Sequence, residues 1–248
     1  MKVELIGEKG NESSLLLKDC SVSLANAIRR AVINSIQTLA IDDVTIYKNT
    51  SSMYDEILAA RLGLIPIKTP VELKGKGKFS FKLKEMGPKA VHASDLVSSD
   101  GDIVPAIPDM LIINLKEGES LELEADTVWG NGEQHTKFTP AHVFYHFYPK
   151  ITIPNSKIKG AAKIASLCPV DVLDGEKENL SVKKGKLSEC TLCKACEDYA
   201  GSDVISVSSE SDKIVFGIES WGQLGTKDIL SEAISSLEDE VREISEKV

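Results

Sequence analysis

Several features that would quickly assign a function are missing from the sequence. No apolar run approaches the ~18 residues that a membrane-spanning helix needs, and the first ten residues turn polar too early for a signal peptide. Lys and Arg form no basic block, and 29 basic against 38 acidic side chains give a formal charge of −9, which argues against a large nucleic-acid-binding surface. We therefore expect a soluble, cytoplasmic protein that makes no direct contact with nucleic acid.

The motifs of common catalytic sites are also missing. The sequence contains no G-x-S-x-G, Walker A or H-E-x-x-H pattern and no nucleotide-binding glycine fingerprint. His142 and His146 lie four residues apart in a predicted strand, which separates them by about 13 Å and favours an ordinary polar role over a metal-binding pair. No catalytic residue is therefore predicted in this chain.

The cysteines are the most informative residues that are present. Cys20 stands alone, whereas four cysteines fall within a short segment of a chain whose predicted compartment does not favour disulfides. This clustering predicts a ligand set made of Cys168, Cys190, Cys193 and Cys196.

The spacing of these four residues resembles half of a two-cluster ferredoxin pattern. Residues 190–196 read C-x2-C-x2-C, and Cys168 is followed by Pro169, as is the remote ligand of the bacterial C-x2-C-x2-C-x3-C-P run, which serves the other cluster. The remaining ligand positions of the two copies are occupied by Ile158, Ala161, Ile164 and Ala200. The retained cysteines therefore predict one iron–sulfur cluster, [4Fe–4S] by ligand number, with [3Fe–4S] possible.

Zinc is the alternative metal for the same four thiolates, because zinc sites built from four cysteines are common. The tight triplet argues against zinc, whose ligands usually come as two separated pairs. A structural role is favoured over electron transfer, since metal binding can fold a small segment that has little core of its own.

The rest of the chain predicts a mixture of helices and strands. An amphipathic helix is expected over residues 24–36, with Ser21 and Ser23 as candidate N-caps. Its buried stripe would consist of Leu24, Ile28, Ala31, Val32 and Ser35. Residues 52–55 have the capping-box form and predict the start of a second helix. Short alternating segments predict strands at residues 40–47, 78–83, 110–115, 120–125, 142–148 and 213–220.

The last 22 residues predict a long helix with an unusually regular apolar stripe. Its apolar residues recur at alternating spacings of four and three, which is the a/d pattern of helices that pack against other helices. Packing on the chain's own sheet and packing against another subunit are both compatible with this pattern. The stripe consists of Leu230, Ile234, Leu237, Val241, Ile244 and Val248.

Four stretches resemble one known family. They are residues 24–31 (LANAIRRA) with 36–44 (IQTLAIDDV), residues 49–66 (from NTS to DEILAARLGLIP), residues 130–140 (GNGEQHTKFTP) and residues 216–222 (FGIESWG). In combination they resemble the alpha-like subunits of cellular RNA polymerases, and the ferredoxin-like cysteine pattern is similar to that of the D-type members found in archaea. The resemblance covers essentially the whole chain.

The resemblance implies an α+β protein with three parts. An alpha-like, discontinuous dimerisation domain would comprise residues 1–45, 146–156 and 212–248. A mostly β second domain would comprise residues 46–145, and residues 157–211 would form an inserted ferredoxin-like [Fe–S] domain.

The resemblance also implies an assembly role without catalysis. In this family the first domain pairs with a smaller alpha-like subunit, called L in archaea, through elements that include the last helix. With the small subunits N and P, this heterodimer forms the platform for the two large catalytic subunits, which carry out nucleotidyl transfer with their Mg2+ ions. The helical stripe would thereby acquire a partner.

Arg29 and Arg30 match the arginine pair by which the first helix of the family meets the large subunits. Adjacent residues on a helix lie about 100° apart, so only one of the two is expected to reach the partner.

Two other functions stay open at this point. One is a ferredoxin-like electron carrier fused to a binding domain, and the other is a zinc-stabilised scaffold unrelated to transcription.

Overall fold

The computed structural model describes residues 1–247 and has an α+β architecture in which strands predominate. The helices are α1 (Val22–Asn34), α2 (Asp55–Gly63), α3 (Ala161–Ser166), α4 (Ala195–Ala200) and α5 (Thr226–Lys247). The strands are β1 (Lys2–Lys9), β2 (Glu12–Lys18), β3 (Thr38–Asn49), β4 (Ser80–Met86), β5 (Lys89–His92), β6 (Val97–Ser98), β7 (Leu111–Leu115), β8 (Ser120–Gly130), β9 (Ala141–Thr152), β10 (Leu173–Glu176), β11 (Asn179–Val182) and β12 (Ser206–Ser220). The predicted α+β class is confirmed, and Val248 of the predicted stripe lies outside the described residues.

The chain divides into two compact units, each assembled from separated segments. Unit 1 comprises Met1–Gly7, Ser14–Ala25 and Phe144–Gly217, and unit 2 comprises Glu8–Ser13, Asn26–Val143 and the chain from Ile218 onward. Both units are discontinuous. The three-part division implied by the family resemblance stays a prediction.

Unit 1 contains most of a four-stranded sheet and a small compact segment. The sheet order is β1-β2-β12-β9, so β1 is an edge strand, and all eight of its residues are exposed. In the compact segment, β10 and β11 form an antiparallel hairpin beside the short helices α3 and α4. Its core is small because these elements are four to six residues long. The buried residues there are Ala161, Ile164, Val172, Leu173, Leu180, Cys190, Cys196, Ile205 and Val207.

Unit 2 is built on a second sheet, with strand order β3-β8-β4-β6 and a separate β5-β7 ladder. Its core includes Phe81, Leu83, Leu121 and Leu123, all 2 % exposed or less, with α2 contributing Leu58 and Leu62. Along β4 the burial alternates because successive side chains of a strand point to opposite faces.

Helix α1 spans Val22–Asn34, two residues earlier at each end than the predicted 24–36, and its buried stripe differs from the prediction in the first turn. The Ser21 hydroxyl accepts a hydrogen bond from the Leu24 amide at 3.2 Å, which confirms Ser21 as the N-cap. Leu24 is exposed, and Ala25 is buried in its place, followed by Ile28 and Val32. Hydrophobicity favoured Leu24 over Ala25, and both residues keep a helical spacing to Ile28, so the pattern could not distinguish which of the two is buried.

The predicted capping box before α2 does not form. The N-cap residue is Tyr54, whose side chain makes no capping bond. Instead, the Asn49 amide donates to the Met53 carbonyl at 2.9 Å and to the Asp55 carboxylate at 2.7 Å, and its oxygen accepts from the Ser51 hydroxyl at 2.6 Å. An asparagine at the end of β3 therefore organises the turn that the capping box was expected to organise.

The carbonyl end of α1 is closed by the loop that follows β8. The Thr139 hydroxyl donates to the Ile33 carbonyl at 3.1 Å, and the Glu133 amide donates to the Asn34 carbonyl at 3.2 Å. A Cβ atom on Gly132 would lie 1.8 Å from the Ile33 carbonyl oxygen, so only glycine permits this approach. Part of the 130–140 stretch thus satisfies carbonyls that a helix end leaves without partners.

We expect Gly132→Ala to destabilise the chain by roughly 1–3 kcal/mol, because the added methyl group forces the loop away from α1. Urea denaturation measures this difference. Gly101→Ala is the matched control, since a Cβ atom there meets no atom within 4 Å. Equal stability of the two variants would contradict the described contact.

Candidate metal centre and assembly surface

The four clustered cysteines line one small cavity in unit 1. Cys190 and Cys196 are buried, Cys168 is half-buried and Cys193 is exposed, and none forms a disulfide. All four line a cavity of about 10 Å3 whose walls also include Val172 and Leu173. Cys20 is buried and does not line this cavity. The structure thus brings the predicted ligand set together and leaves the fifth cysteine outside it.

Short elements deliver these cysteines to the cavity. Cys168 follows α3, Cys190 follows the 3-10 turn Leu187–Glu189, and Cys196 lies in α4. Leu192 and Lys194, the residues on either side of Cys193, have φ angles of 58° and 60°. Left-handed backbone is uncommon for residues with a side chain and costs roughly 1 kcal/mol or more. The loop therefore accepts strain where it passes the cavity.

Backbone amides approach the sulfur atoms. The Val172 amide donates to Cys168 Sγ at 3.4 Å. Burial raises the pKa of the Cys190 and Cys196 thiols, whereas backbone N–H groups of Leu192 and Glu197 act in the opposite direction. Neighbouring thiols raise both pKa values further. Thiolates at this density therefore need a cation to share their charge.

The chemistry of this donor set fits a thiolate-bound metal group. Within residues 1–247, no group of three or more His, Cys, Asp or Glu side chains is already arranged to hold a metal ion. Four thiols, amides aimed at sulfur and an apolar lining are nevertheless the surroundings expected of an iron–sulfur cluster. Four thiolates would also suit zinc, so the donor set alone does not choose between the two.

The two arginines of α1 have different surroundings. Arg29 is half-buried, and its guanidinium donates to the Asn26 side chain at 3.0 and 3.2 Å. Arg30 is exposed and lines a cleft beside α5. Arg29 is therefore hydrogen-bonded within its own helix, and Arg30 is the more accessible of these two arginines.

The apolar stripe of α5 is not the face that packs on the chain itself. Ile229 and Ala233 are fully buried, whereas Ile234, Val241 and Ile244 are 44 %, 66 % and 65 % exposed. Leu230 and Leu237 are half-buried, and every residue from 238 to 247 is exposed. Of the two interpretations of the stripe, packing on the chain's own sheet therefore does not apply to its C-terminal half.

A cleft of about 400 Å3 in unit 2 runs between α1 and α5. It is lined by Ala27 and Ala31, and by the charged residues Arg30, Glu133 and Glu240. The small alanines leave room for a side chain from outside the chain.

A groove of about 260 Å3 in unit 2 joins three of the stretches that carry the family resemblance. It is lined by Leu64 and Pro66, by Lys137 of the 130–140 stretch, and by the exposed Trp221. Lys137 is held in place by an ion pair with Asp42 and by donation to the Ile41 carbonyl at 3.0 Å. These stretches are distant in sequence but form one surface.

Gln223 also lines this groove. Its amide donates to the Lys137 carbonyl at 3.5 Å, and in the part of the chain that the structure describes its Oε1 atom is buried without a partner. Lys137, Trp221 and Gln223 were not predicted as functional residues, although Lys137 and Trp221 lie in stretches that carry the family resemblance.

The sequence matches one protein family along most of its length. Residues 14–241 match the family model described as the RNA polymerase Rpb3/Rpb11 dimerisation domain. The chain is 33 % identical to a DNA-directed RNA polymerase subunit Rpo3 of Methanobrevibacter smithii, across 96 % of this chain and 94 % of that protein. It is 34 % identical to the Rpo3 of Methanosphaera stadtmanae (98 % and 97 % covered) and 30 % identical to that of Pyrococcus furiosus (96 % and 93 %).

The chain therefore belongs to the RNA polymerase Rpb3/Rpb11 dimerisation-domain family. Within that family it is a homologue of the archaeal polymerase subunits named Rpo3. This confirms the predicted resemblance to alpha-like polymerase subunits. No helix within residues 1–247 is both long enough and apolar enough to cross a membrane.

Truncation of a side chain on the buried face of α5 should destabilise the chain much more than truncation on the exposed stripe. We expect Ile229→Ala to cost about 2–5 kcal/mol, because Ile229 is fully buried. We expect Val241→Ala to change the free energy of unfolding by less than about 0.5 kcal/mol, because Val241 is exposed. Denaturant titration of the chain without partners compares the two, and a large effect of Val241→Ala would contradict the assignment of the faces.

Proposed function

We propose that the chain is a non-catalytic assembly subunit of an archaeal DNA-directed RNA polymerase, and that α5 pairs with the small alpha-like subunit L. The observation that carries this proposal is the uncovered apolar stripe at the end of α5. Val241 and Ile244 lie on a stretch whose residues are all exposed, and a ten-residue helical end is marginally stable without tertiary contacts. A family named for dimerisation, together with Rpo3 relatives that match along most of their length, supports a protein partner on this stripe.

The other polymerase subunits require further surface, and two regions of unit 2 are suitable. The exposed guanidinium of Arg30 is available to the large catalytic subunits, as the family resemblance implies for this arginine pair. The groove around Trp221 presents apolar side chains beside Gln223 Oε1, a buried oxygen without a hydrogen-bond partner within residues 1–247. It suits contacts with the small subunits N and P or with a large subunit. Nucleotidyl transfer takes place in the large subunits, and this chain contributes their placement.

The compact segment of unit 1 would hold one iron–sulfur cluster, most simply [4Fe–4S]. Its ligands would be Cys168, Cys190, Cys193 and Cys196, which line the same cavity. The segment has helices of six residues and strands of four, so a metal group adds cohesion that its own core supplies only in part. When bound, the group cross-links the loop at Cys190–Cys196 to the end of α3. This structural role is preferred to electron transfer.

Disruption of the apolar stripe tests the assembly role. We expect Val241→Asp combined with Ile244→Asp to abolish co-purification with subunit L after co-expression, because two carboxylates would then be desolvated in the interface. The thermal midpoint of the chain alone should not change, since both residues are exposed. Ser235→Asp adds a charge at another exposed position of α5 and should leave co-purification intact. A wild-type chain that forms no heterodimer with L would refute the proposal.

Anaerobic purification tests the cluster. We expect the wild-type heterodimer to be brown, to contain iron and to lose its visible absorption on oxidation or chelation. Cys193→Ser should lower the iron content and the thermal midpoint, although Cys193 is exposed and its replacement creates no cavity. Cys20→Ala removes the cysteine outside the cavity and should keep the wild-type iron content. A colourless protein loaded with zinc would identify the alternative metal.

A further inference from the structure

Two acidic residues flank the apolar stripe at the uncovered end of α5. At 100° per residue, Glu238 and Glu240 fall about 80° to either side of the line through Leu230, which the stripe follows. Both side chains are exposed, as are Val241 and Ile244 beside them. The stripe is therefore bordered by negative charge on both sides.

These two carboxylates differ from three other acidic residues of the same helix, which form ion pairs. Glu232 pairs with Lys74, Asp239 with Arg242, and Glu243 with Lys247. Among residues 1–247, neither Glu238 nor Glu240 takes part in an ion pair or a side-chain hydrogen bond. Glu246, on the opposite side of the helix, is also exposed and also outside the ion pairs of the described chain. Glu238 and Glu240 are therefore the acidic residues of α5 that lie beside the stripe and have no ion-pair partner among residues 1–247.

The adjacent cleft continues the same charge pattern. Glu240 shares the cleft with Glu133 and with one cation, Arg30, and Leu237 of the stripe forms part of its wall. No ion pair joins Arg30 to either glutamate in the described chain. The uncovered surface thus offers more negative than positive charge to whatever covers the stripe.

We propose that Glu238 and Glu240 select a partner helix with Lys or Arg residues beside its own apolar stripe, and that they disfavour pairing of two copies of this chain. Charges that border an apolar seam fix the choice of partner because they become partly desolvated on association. A two-fold interface between two copies places the same patch on both sides, so the unpaired glutamates would face each other. Like charges at such a position oppose the homodimer.

This inference rests on the proposed function, because it assumes that subunit L covers the stripe. It adds the chemistry by which L is distinguished from a second copy of the chain.

The test compares two charge-reversed variants of the full chain. Glu238→Lys with Glu240→Lys reverses the charges beside the stripe. Asp239→Lys with Glu246→Lys makes the same change in net charge on the opposite side of the helix, where both residues are also exposed. We expect the first variant to bind purified L about tenfold or more weakly than wild type, with the difference shrinking at high salt. The second variant should bind as wild type does.

Self-association is measured in parallel by sedimentation of each chain without L. The wild type should remain monomeric, and Glu238→Gln with Glu240→Gln should self-associate more strongly because the repulsion is removed. Equal affinities of the two lysine variants for L, or no gain of self-association in the glutamine variant, would overturn this inference while leaving the proposed function intact. Failure of the wild-type chain to bind L would overturn both. Circular dichroism verifies that each variant is folded.

Discussion

The end of α1 imposes the constraint on which the candidate assembly surface depends. The last carbonyls of a helix need donors, and here they receive them from a loop 106 residues away, through Thr139 and the Glu133 amide. The backbone at Gly132 passes so close to Ile33 that the end of α1 and the loop are packed directly against each other. The positions of Arg30 on α1 and of Glu133 on the loop, both of which line the cleft, are set relative to each other by this contact.

Helix α5 has one face that packs on the chain and another that is left exposed. Ile229 and Ala233 attach its first turns to the chain, and the stripe through Val241 points elsewhere. The final turns are supported by local ion pairs such as Glu243 with Lys247, and pairs at this spacing contribute only about 0.2–0.5 kcal/mol each. An amphipathic stripe on a helix of low intrinsic stability is typical of an element that becomes fully ordered in a complex.

The sequence predicted strongly periodic and chemically distinctive elements well. The stripe of α5, the strand at β8 and the grouping of four cysteines all depend on spacing, which survives folding unchanged. In the stripe of α1, Ile28 and Val32 are buried as predicted, but Leu24 was wrong because Ala25 fits the same period. The capping box before α2 was wrong because Asn49, six residues earlier than Asp55, competes for the same groups.

The groove around Trp221 could not be predicted in the same way. Its walls include residues from 64–66, 136–139 and 221–223. No local sequence pattern predicts that these three segments are in contact. The acidic flanks of α5 were visible in the sequence, but their lack of ion-pair partners depends on which lysines the fold brings near. Tertiary placement, rather than residue type, defines these features.

The order of strands in the first sheet has a consequence for synthesis of the chain. Strand β2 pairs with β12, which follows it by about 190 residues. At roughly 5–20 residues per second, the ribosome takes on the order of 10–40 seconds to deliver that neighbour. During this interval the sheet of β3, β8, β4 and β6 is already complete in sequence, so it can form first. Strands β1 and β2 are synthesised first, but β2 can pair with β12 only near the end of synthesis.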